Sequence, residues 1–315
     1  MSSTNPLPAR PRVPKELYSR STGRLWLSLA YSVTLWLGAS LVAWSLWQSA
    51  WPVWGKVVAS LPLFLVGGQG LVIAGYLGHD AFHFNLHENR VISCLIGIVA
   101  TAPLFPFVEI GFAISHWNHH MHTNEIGDPD GKIFGRFNSW PTRVLFARPL
   151  TFLVYGRNAL YLAIGKPLNF KAPFPLKPEV VRRLAQFNFL VVAVMTAIHV
   201  YLIFNYLGFY LCLLGVRLSS AFLSGMNPYF EHAGTGYGLG ADSRSRVGWF
   251  WDSFFLGSNY HLEHHLYPGI PFYNLRRTHL YLKEVGYFNE PHPVSRGASV
   301  IRYLSGAYVY PRRAV

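Results

Sequence analysis

The sequence predicts an all-α integral membrane protein with four transmembrane helices in two hairpins, and three observations carry that prediction. Only 13% of the 315 residues are charged, where soluble domains carry about 25%. Apolar residues gather into runs close to the length of about 20 that a spanning helix needs. Aromatic residues reach 16% and cluster beside those runs, where amphipathic rings sit at a membrane interface. This composition excludes an ordinary soluble enzyme. Cys94 and Cys212, the only cysteines, lie inside apolar segments, which excludes a disulfide framework and a thiolate metal site.

Residues 1–24 form a polar arm in which Arg10, Arg12, Lys15, Arg20 and Arg24 are opposed only by Glu16; the positive-inside rule assigns it to the cytoplasm. Residues 25–47 are too long an apolar run for a signal-peptide core and read as a retained helix. Trp44, Trp47, Trp51 and Trp54 then form an interfacial cluster. A second run, 57–77, returns the chain to His79, and its Gly67, Gly68, Gly70 and Gly75 permit close helix packing. Residues 91–114 are apolar but broken by Pro103 and Pro106 and carry Glu109.

The stretch 123–186 is polar and basic and reads as a cytoplasmic cap lying partly on the membrane. Its Arg143, Arg148, Arg157, Lys166, Lys171, Lys177, Arg182 and Arg183 face anionic headgroups in this reading. A second hairpin, 187–205 and 207–226, is joined by an uncharged turn suited to the outer face. Arg217 lies within its second helix; an intramembrane charge marks a functional site by default, with snorkelling or a protein acceptor as the alternative. The chain after 226 is polar and Gly-rich. Residues 281–315 form a basic tail, leaving 25–280 as a membrane and cap domain.

Nine of the fourteen histidines fall in four places: His79 and His83; His116, His119 and His120; His232; and His261, His264 and His265. At 14 in 315, a histidine pattern of i, i+3, i+4 is expected about 0.03 times by composition, and it occurs twice. Residues so spaced share one helix face, about 5–6 Å apart, so each box aims several imidazoles at one point. Nine imidazoles exceed one ion's needs and suit two, and imidazole without thiolate fits iron, zinc, copper or nickel. If the boxes share a site, one crossing between His83 and His116 would separate them. Residues 91–114 are therefore expected to be re-entrant or in-plane, and the cap to hold a dinuclear metal site.

Acidic residues crowd the boxes, as carboxylates orienting metal-bound imidazoles would. Asp80, Glu231 and Glu263 are the leading candidates, with Asn227 and Asn259 as polar companions; Glu88, Glu125, Asp128, Asp130 and Asp252 lie nearby. His87 and His122 extend their boxes as outer residues. His199, His279 and His292 read as packed or surface histidines. Trp117, Phe82, Phe84, Trp249, Trp251, Phe254 and Phe255 are candidate walls of a substrate tunnel, core packing being the commoner role of such rings.

His79-x3-His83, His116-x2-His119-His120 and His261-x2-His264-His265, in this order and separated by apolar hairpins, resemble the membrane fatty acid desaturase and hydroxylase superfamily. The run from Asn259 to Pro268 is similar to the third box of many acyl desaturases. The resemblance spans about residues 25–280. It implies two iron ions (Fe2+/Fe3+) held by the eight box histidines and His232, with O2 as co-substrate and a lipid acyl chain losing two hydrogens. In relatives an Asn lies four residues before the isolated histidine, whereas Asn227 lies five before His232. No His-Pro-Gly-Gly haem motif occurs, so electrons are expected from a separate donor, a ferredoxin or a cytochrome with its reductase. The +13 charge would steer such an acidic carrier, and it serves topology equally.

His122, Asn124, Asp128 and Asp130 also resemble bacterial members acting on isoprenoids. A hydroxylase or ketolase on a fatty or carotenoid-like chain is therefore the close alternative. A histidine-rich metal transporter is the remote one, since it would place ligands along a crossing path rather than at helix ends. No nucleic acid is expected as a partner. The metal site and both termini are expected on the cytoplasmic side of a multi-pass protein.

Overall fold

In the computed structural model, residues 10–289, 294–296, 306 and 308–311 are described. Among the described residues twelve α-helices run in chain order: α1 (Thr22–Gln48), α2 (Val53–Phe82), α3 (Arg90–Ala100), α4 (Glu109–His122), α5 (Pro129–Phe134), the single turn α6 (Trp140–Thr142), α7 (Arg148–Ile164), α8 (Pro178–Asn205), α9 (Leu207–His232), α10 (Trp249–Phe255), α11 (His261–Leu266) and α12 (Phe272–Glu284). Among the described residues α1, α2, α8 and α9 are long and apolar enough to cross a membrane. All four expected spans are thus helical, each extended beyond its apolar run.

The chain divides into two compact units. One comprises Ser21–Ser115 and Val144–Met226; the other gathers the described parts of Met1–Arg20, His116–Arg143 and Asn227–Val315. Helices α4 and α9 each begin in the first and end in the second.

In the first unit, Ser21 caps α1 by accepting the Arg24 N–H at 3.3 Å. Helices α1 and α2 pack along each other; Ser32 Oγ donates to Gly70 O at 2.7 Å, and Trp47 Nε1 to Ser60 Oγ at 3.0 Å. A Cβ on Gly70 would sit 2.6 Å from Ser32 O, and one on Gly68 2.8 Å from the Ser220 nitrogen. The small residues therefore do set the approach of neighbouring backbones. Gly75 is different, since a Cβ there would make only ordinary contact with Leu104. Trp44, Trp47, Trp51 and Trp54 are all exposed, as an aromatic belt requires.

Residues 91–114 do not form one helix. Asn89 caps α3 through the Val91 and Ile92 N–H groups, the chain breaks around Pro103 and Pro106, and α4 starts at Glu109. Neither piece is long enough to cross. The start of α4 is pinned by Asn188 of α8, which accepts the Ile110 N–H at 3.0 Å, and by Asn158 of α7, which donates to Ser115 Oγ at 2.9 Å. The expected cap over 123–186 is divided by the structure: α7 packs against α8 in the first unit, and only the part up to Arg143 belongs to the second. Hydropathy did not reveal this because α7 carries basic residues among apolar ones.

The second unit departs from an all-α fold through a two-stranded parallel ladder, β1 (Ser245–Val247) with β2 (Val294–Arg296). Three-residue strands carry too little alternation to be read from sequence. The N-terminal segment is also more than a charged arm. Arg10 donates to Leu266 O at 2.6 Å, Tyr267 to Pro11 O at 2.6 Å, and Asn274 to Leu17 O at 3.0 Å, so residues 10–19 strap α11 and α12. Leu17, Leu262, Leu266, Phe272 and Leu275 fill the core beneath the strap. Arg143, expected at headgroups, is fully buried: it donates to Phe137 O at 3.0 Å and Tyr308 O at 2.8 Å and lies over the Tyr229 ring.

Candidate metal centre

Three helix ends of the second unit supply its imidazoles. The last two turns of α4 place His116, His119 and His120 on one face, α9 ends at His232, and the six residues of α11 carry His261, His264 and His265. The rings form two groups. In one, His120 Nε2 lies 2.9 Å from His116 Nε2 and 3.0 Å from His264 Nε2. In the other, His261 Nε2 lies 3.0 Å from His232 Nε2 and 3.1 Å from His265 Nε2, while His119, His232 and His265 present nitrogens within 4.8 Å of one another.

The opposite ring nitrogens fix the tautomers. His232 Nδ1 donates to the Asp242 backbone carbonyl at 2.8 Å, and His119 Nδ1 to Asp128 Oδ1 at 2.8 Å. With the hydrogen on Nδ1, the Nε2 of a neutral ring offers only a lone pair. Burial and the neighbouring imidazoles hold His265 well below its ordinary pKa, and burial with His119 lowers His232 to about 3, leaving its Nε2 a lone pair, whereas the carboxylates around His119 keep on that ring a proton that a metal would displace. Lone pairs converging in a buried space repel unless a cation lies among them. The donor set, all nitrogen with nearby carboxylate, fits a borderline metal such as iron or zinc, and the two groups fit two ions.

Asp128 is the pivot of this arrangement. It accepts the Asn124 N–H at 2.9 Å and the Asp130 N–H at 2.8 Å, capping α5 with the carboxylate that holds His119. Burial works against its ionised form, but His119 and the backbone donors outweigh it and keep the carboxyl below its ordinary pKa. Burial likewise lowers His119, and Asp128, Asp130 and Asp242 override it, holding the ring at about 9. Asp242 is itself pushed up to about 6 by burial, against the Ser243 hydroxyl and His119.

Of the residues singled out in the sequence, Glu231 places Oε2 3.7 Å from His261 Nε2 and Oε1 3.5 Å from Arg246 Nη2. Glu263 is buried and bonded to Ser245 and to His279, and Ser245 Oγ accepts the Leu262 N–H; it locks α11 instead of touching a box ring in these contacts. His279, read as a packed or surface histidine, is packed against it as its partner. Asn259 donates to Arg246 O and Asp252 Oδ1 and so braces the loop before α11. Asn227 is buried one turn before His232.

His79 and His83 end α2 in the other unit, ring centroids 4.8 Å apart, with Asp80 Oδ1 3.5 Å from His79 Nδ1. His87 is exposed and accepts the Asn89 N–H, so it turns the chain into α3 rather than backing the first box. His122 is half-buried beside Glu125. His292 lies outside the described residues. Trp251 and Phe255, proposed as tunnel walls, pack with Phe230 around the Arg246 guanidinium. Phe254 stacks on Phe250, Trp249 is exposed, and Phe82 and Phe84 pack on Phe174; Trp117 is half-buried.

Sequence reasoning missed Asp242, whose backbone orients His232. It sits in a Gly-rich loop with no box spacing to mark it.

The fatty acid desaturase family model matches residues 52–296. An sn-1 oleoyl-lipid 12-desaturase of Synechocystis sp. is 25% identical over 150 residues, covering 46% of this chain and 37% of that protein. A protein of the same name from Anabaena variabilis is 28% identical over 148 residues, 46% and 35% of the two chains. The chloroplastic omega-6 fatty acid desaturase of Glycine max is 29% identical over 119 residues, 36% and 24%. The matches thus span little more than a third, at most, of the length of these relatives.

Proposed function

The chain belongs to the fatty acid desaturase family, and from that premise we propose that it is a membrane-embedded oxidoreductase that introduces a double bond into a lipid acyl chain. The observation that carries this reading is the pair of imidazole groups at the ends of α4, α9 and α11, with tautomers fixed by Asp128 and Asp242. His116, His119, His120, His232, His261, His264 and His265 would hold two iron ions; His79 and His83 join the ligand set on the family's box pattern. Bound iron would supply O2 activation, with electrons from a separate ferredoxin or cytochrome. The protein's own share is orientation: Asp128 and the Asp242 carbonyl keep each Nε2 lone pair turned inward, and Glu263 with Ser245 fixes the helix carrying three rings. Buried Leu262 and Leu266 on that helix keep water from its far side.

In this proposal α1 with α2 and α8 with α9 form two spanning hairpins, residues 91–114 stay on one side, and the metal centre and both termini face the cytoplasm. A hydroxylase or ketolase on a fatty or isoprenoid chain uses the same centre and differs in its product.

Mass spectrometry of total lipids from a host expressing the chain, beside a His264→Ala variant at equal abundance, tests the reading. A histidine-dependent product lighter by two hydrogens supports the desaturase. One heavier by an oxygen moves the assignment to the hydroxylase, and no histidine-dependent product in a host supplied with a matched electron donor refutes both.

A further inference from the structure

Arg217 lies ten residues into α9 from Leu207, a rise of about 15 Å and so near the middle of a hydrocarbon core about 30 Å thick. A charge at that depth is costly unless it has a partner or lines a cavity. Its Nη1 meets His199, 3.1 Å from Nε2, six residues before the end of α8. Phe105 stacks on His199 with centroids 4.8 Å apart, and the Arg217 guanidinium lies 5.5 Å over that same ring. Among the described residues no carboxylate lies within ion-pair distance of Arg217, and only Nη1 is hydrogen-bonded. The remaining guanidinium donors are therefore available to an acceptor.

They border a cavity of about 180 Å³ whose lining includes Leu71, Phe105, Arg148, Arg217, Ser220 and Ser224 and no acidic residue. Ser220 is buried with its hydroxyl unbonded, an unsatisfied polar group on the same wall. A whole lipid or cofactor fills about 300–1,000 Å³, so this cavity is sized for the end of a chain. Its walls are mainly apolar, its polar side chains are the two arginines with Ser220 and Ser224, the latter donating to Ser220 O, and guanidinium cannot accept. A group meeting Arg217 at mid-bilayer must be an acceptor carried at the far end of a chain whose other end reaches the interface.

We propose that this cavity binds the distal end of a lipid chain bearing an oxygen acceptor, a hydroxyl, carbonyl or carboxylate, and that Arg217 and Ser220 select such chains over methyl-ended ones. The proposal rests on the reading of the chain as a lipid-modifying membrane protein and names the substrate class within it.

The test is equilibrium binding of radiolabelled palmitoyl lysophosphatidylcholine and its ω-hydroxy and ω-carboxy counterparts, whose headgroup holds the other chain end at the interface, to the full chain in nanodiscs, with His264→Ala run in parallel as an assay independent of turnover. A hydrogen bond to a charged donor predicts that at least one oxygen-ended chain binds about tenfold or more tightly than the methyl-ended one, and which one identifies the end group. Arg217→Leu should erase that preference. Equal affinities in the wild-type protein overturn the proposal without any variant, as does a preference that survives Arg217→Leu. Failure of all three chains to bind would instead refute the lipid-chain reading itself.

Discussion

Replacing Asp128 by Asn separates the orienting carboxylate from the imidazoles it serves. Asp128 is fully buried; Oδ1 receives His119 Nδ1 and the Asp130 N–H, both at 2.8 Å, and Oδ2 receives the Asn124 N–H at 2.9 Å. A side-chain amide keeps one acceptor. Turned either way, its NH2 faces another donor, and leaving a buried donor unpaired costs about 1–3 kcal/mol. Loss of a group orienting a metal-bound histidine typically weakens metal binding by about 10–100-fold, about 1.4–2.8 kcal/mol. The pH dependence sharpens the test. Burial opposes a charged His119, but Asp128, Asp130 and Asp242 hold its pKa at about 9, so in the metal-free protein a proton occupies the ring at neutral pH. Metal must displace it, and wild-type affinity should rise by about tenfold per pH unit toward that value. In Asp128→Asn burial dominates, and the slope should flatten. The metal-free protein follows the same sign: the stabilisation from the charged pair is full below the ordinary histidine value and is lost as pH rises through about 9. Anaerobic ferrous titration against a competing chelator between about pH 6.5 and 8.5, spanning ordinary histidine titration, measures affinity and slope, with circular dichroism reporting the fold. Asp130→Asn, whose carboxylate is 4.0 Å from His119, is the control with the smaller effect. A folded Asp128→Asn protein with wild-type affinity and slope would refute the reasoning.

Three further outcomes are expected. Burial pushes the Glu109 carboxyl up to about 8 despite Arg148 and Thr101, so its contribution is fully present below the ordinary carboxylate value and lost as pH rises through about 8; thermal melts of Glu109→Gln should stay flat across this window while the wild type declines, and parallel curves would sink the assignment. Arg143→Met removes both donors to the Phe137 and Tyr308 carbonyls and the cation over Tyr229, and should cost about 2–5 kcal/mol in chemical denaturation, whereas Arg157→Met, at an exposed position, should cost nothing measurable. Gly70→Ala drives a methyl against Ser32 O and should destabilise by about 1–3 kcal/mol, whereas Gly75→Ala, with open contact only, should be neutral in the same melts.

The four helices long and apolar enough to cross a membrane were legible because a bilayer imposes length and apolarity on each segment alone, and the boxes were legible because i, i+3, i+4 spacing is a property of one helix. Pro103 and Pro106 likewise announced a break that a missing N–H enforces locally. What escaped depends on segments distant in the chain. The Asp242 carbonyl reaches His232 from an irregular loop, residues 10–19 strap α11 and α12 from more than two hundred residues away, and Arg143 looks like any surface arginine until Tyr229 and Tyr308 close over it. The sequence by itself determined which histidines share a helix face. Only tertiary structure decided which carbonyl or carboxylate meets each ring, because hydrogen-bond partners are chosen by position in space, and for loops nothing periodic in the chain encodes that position.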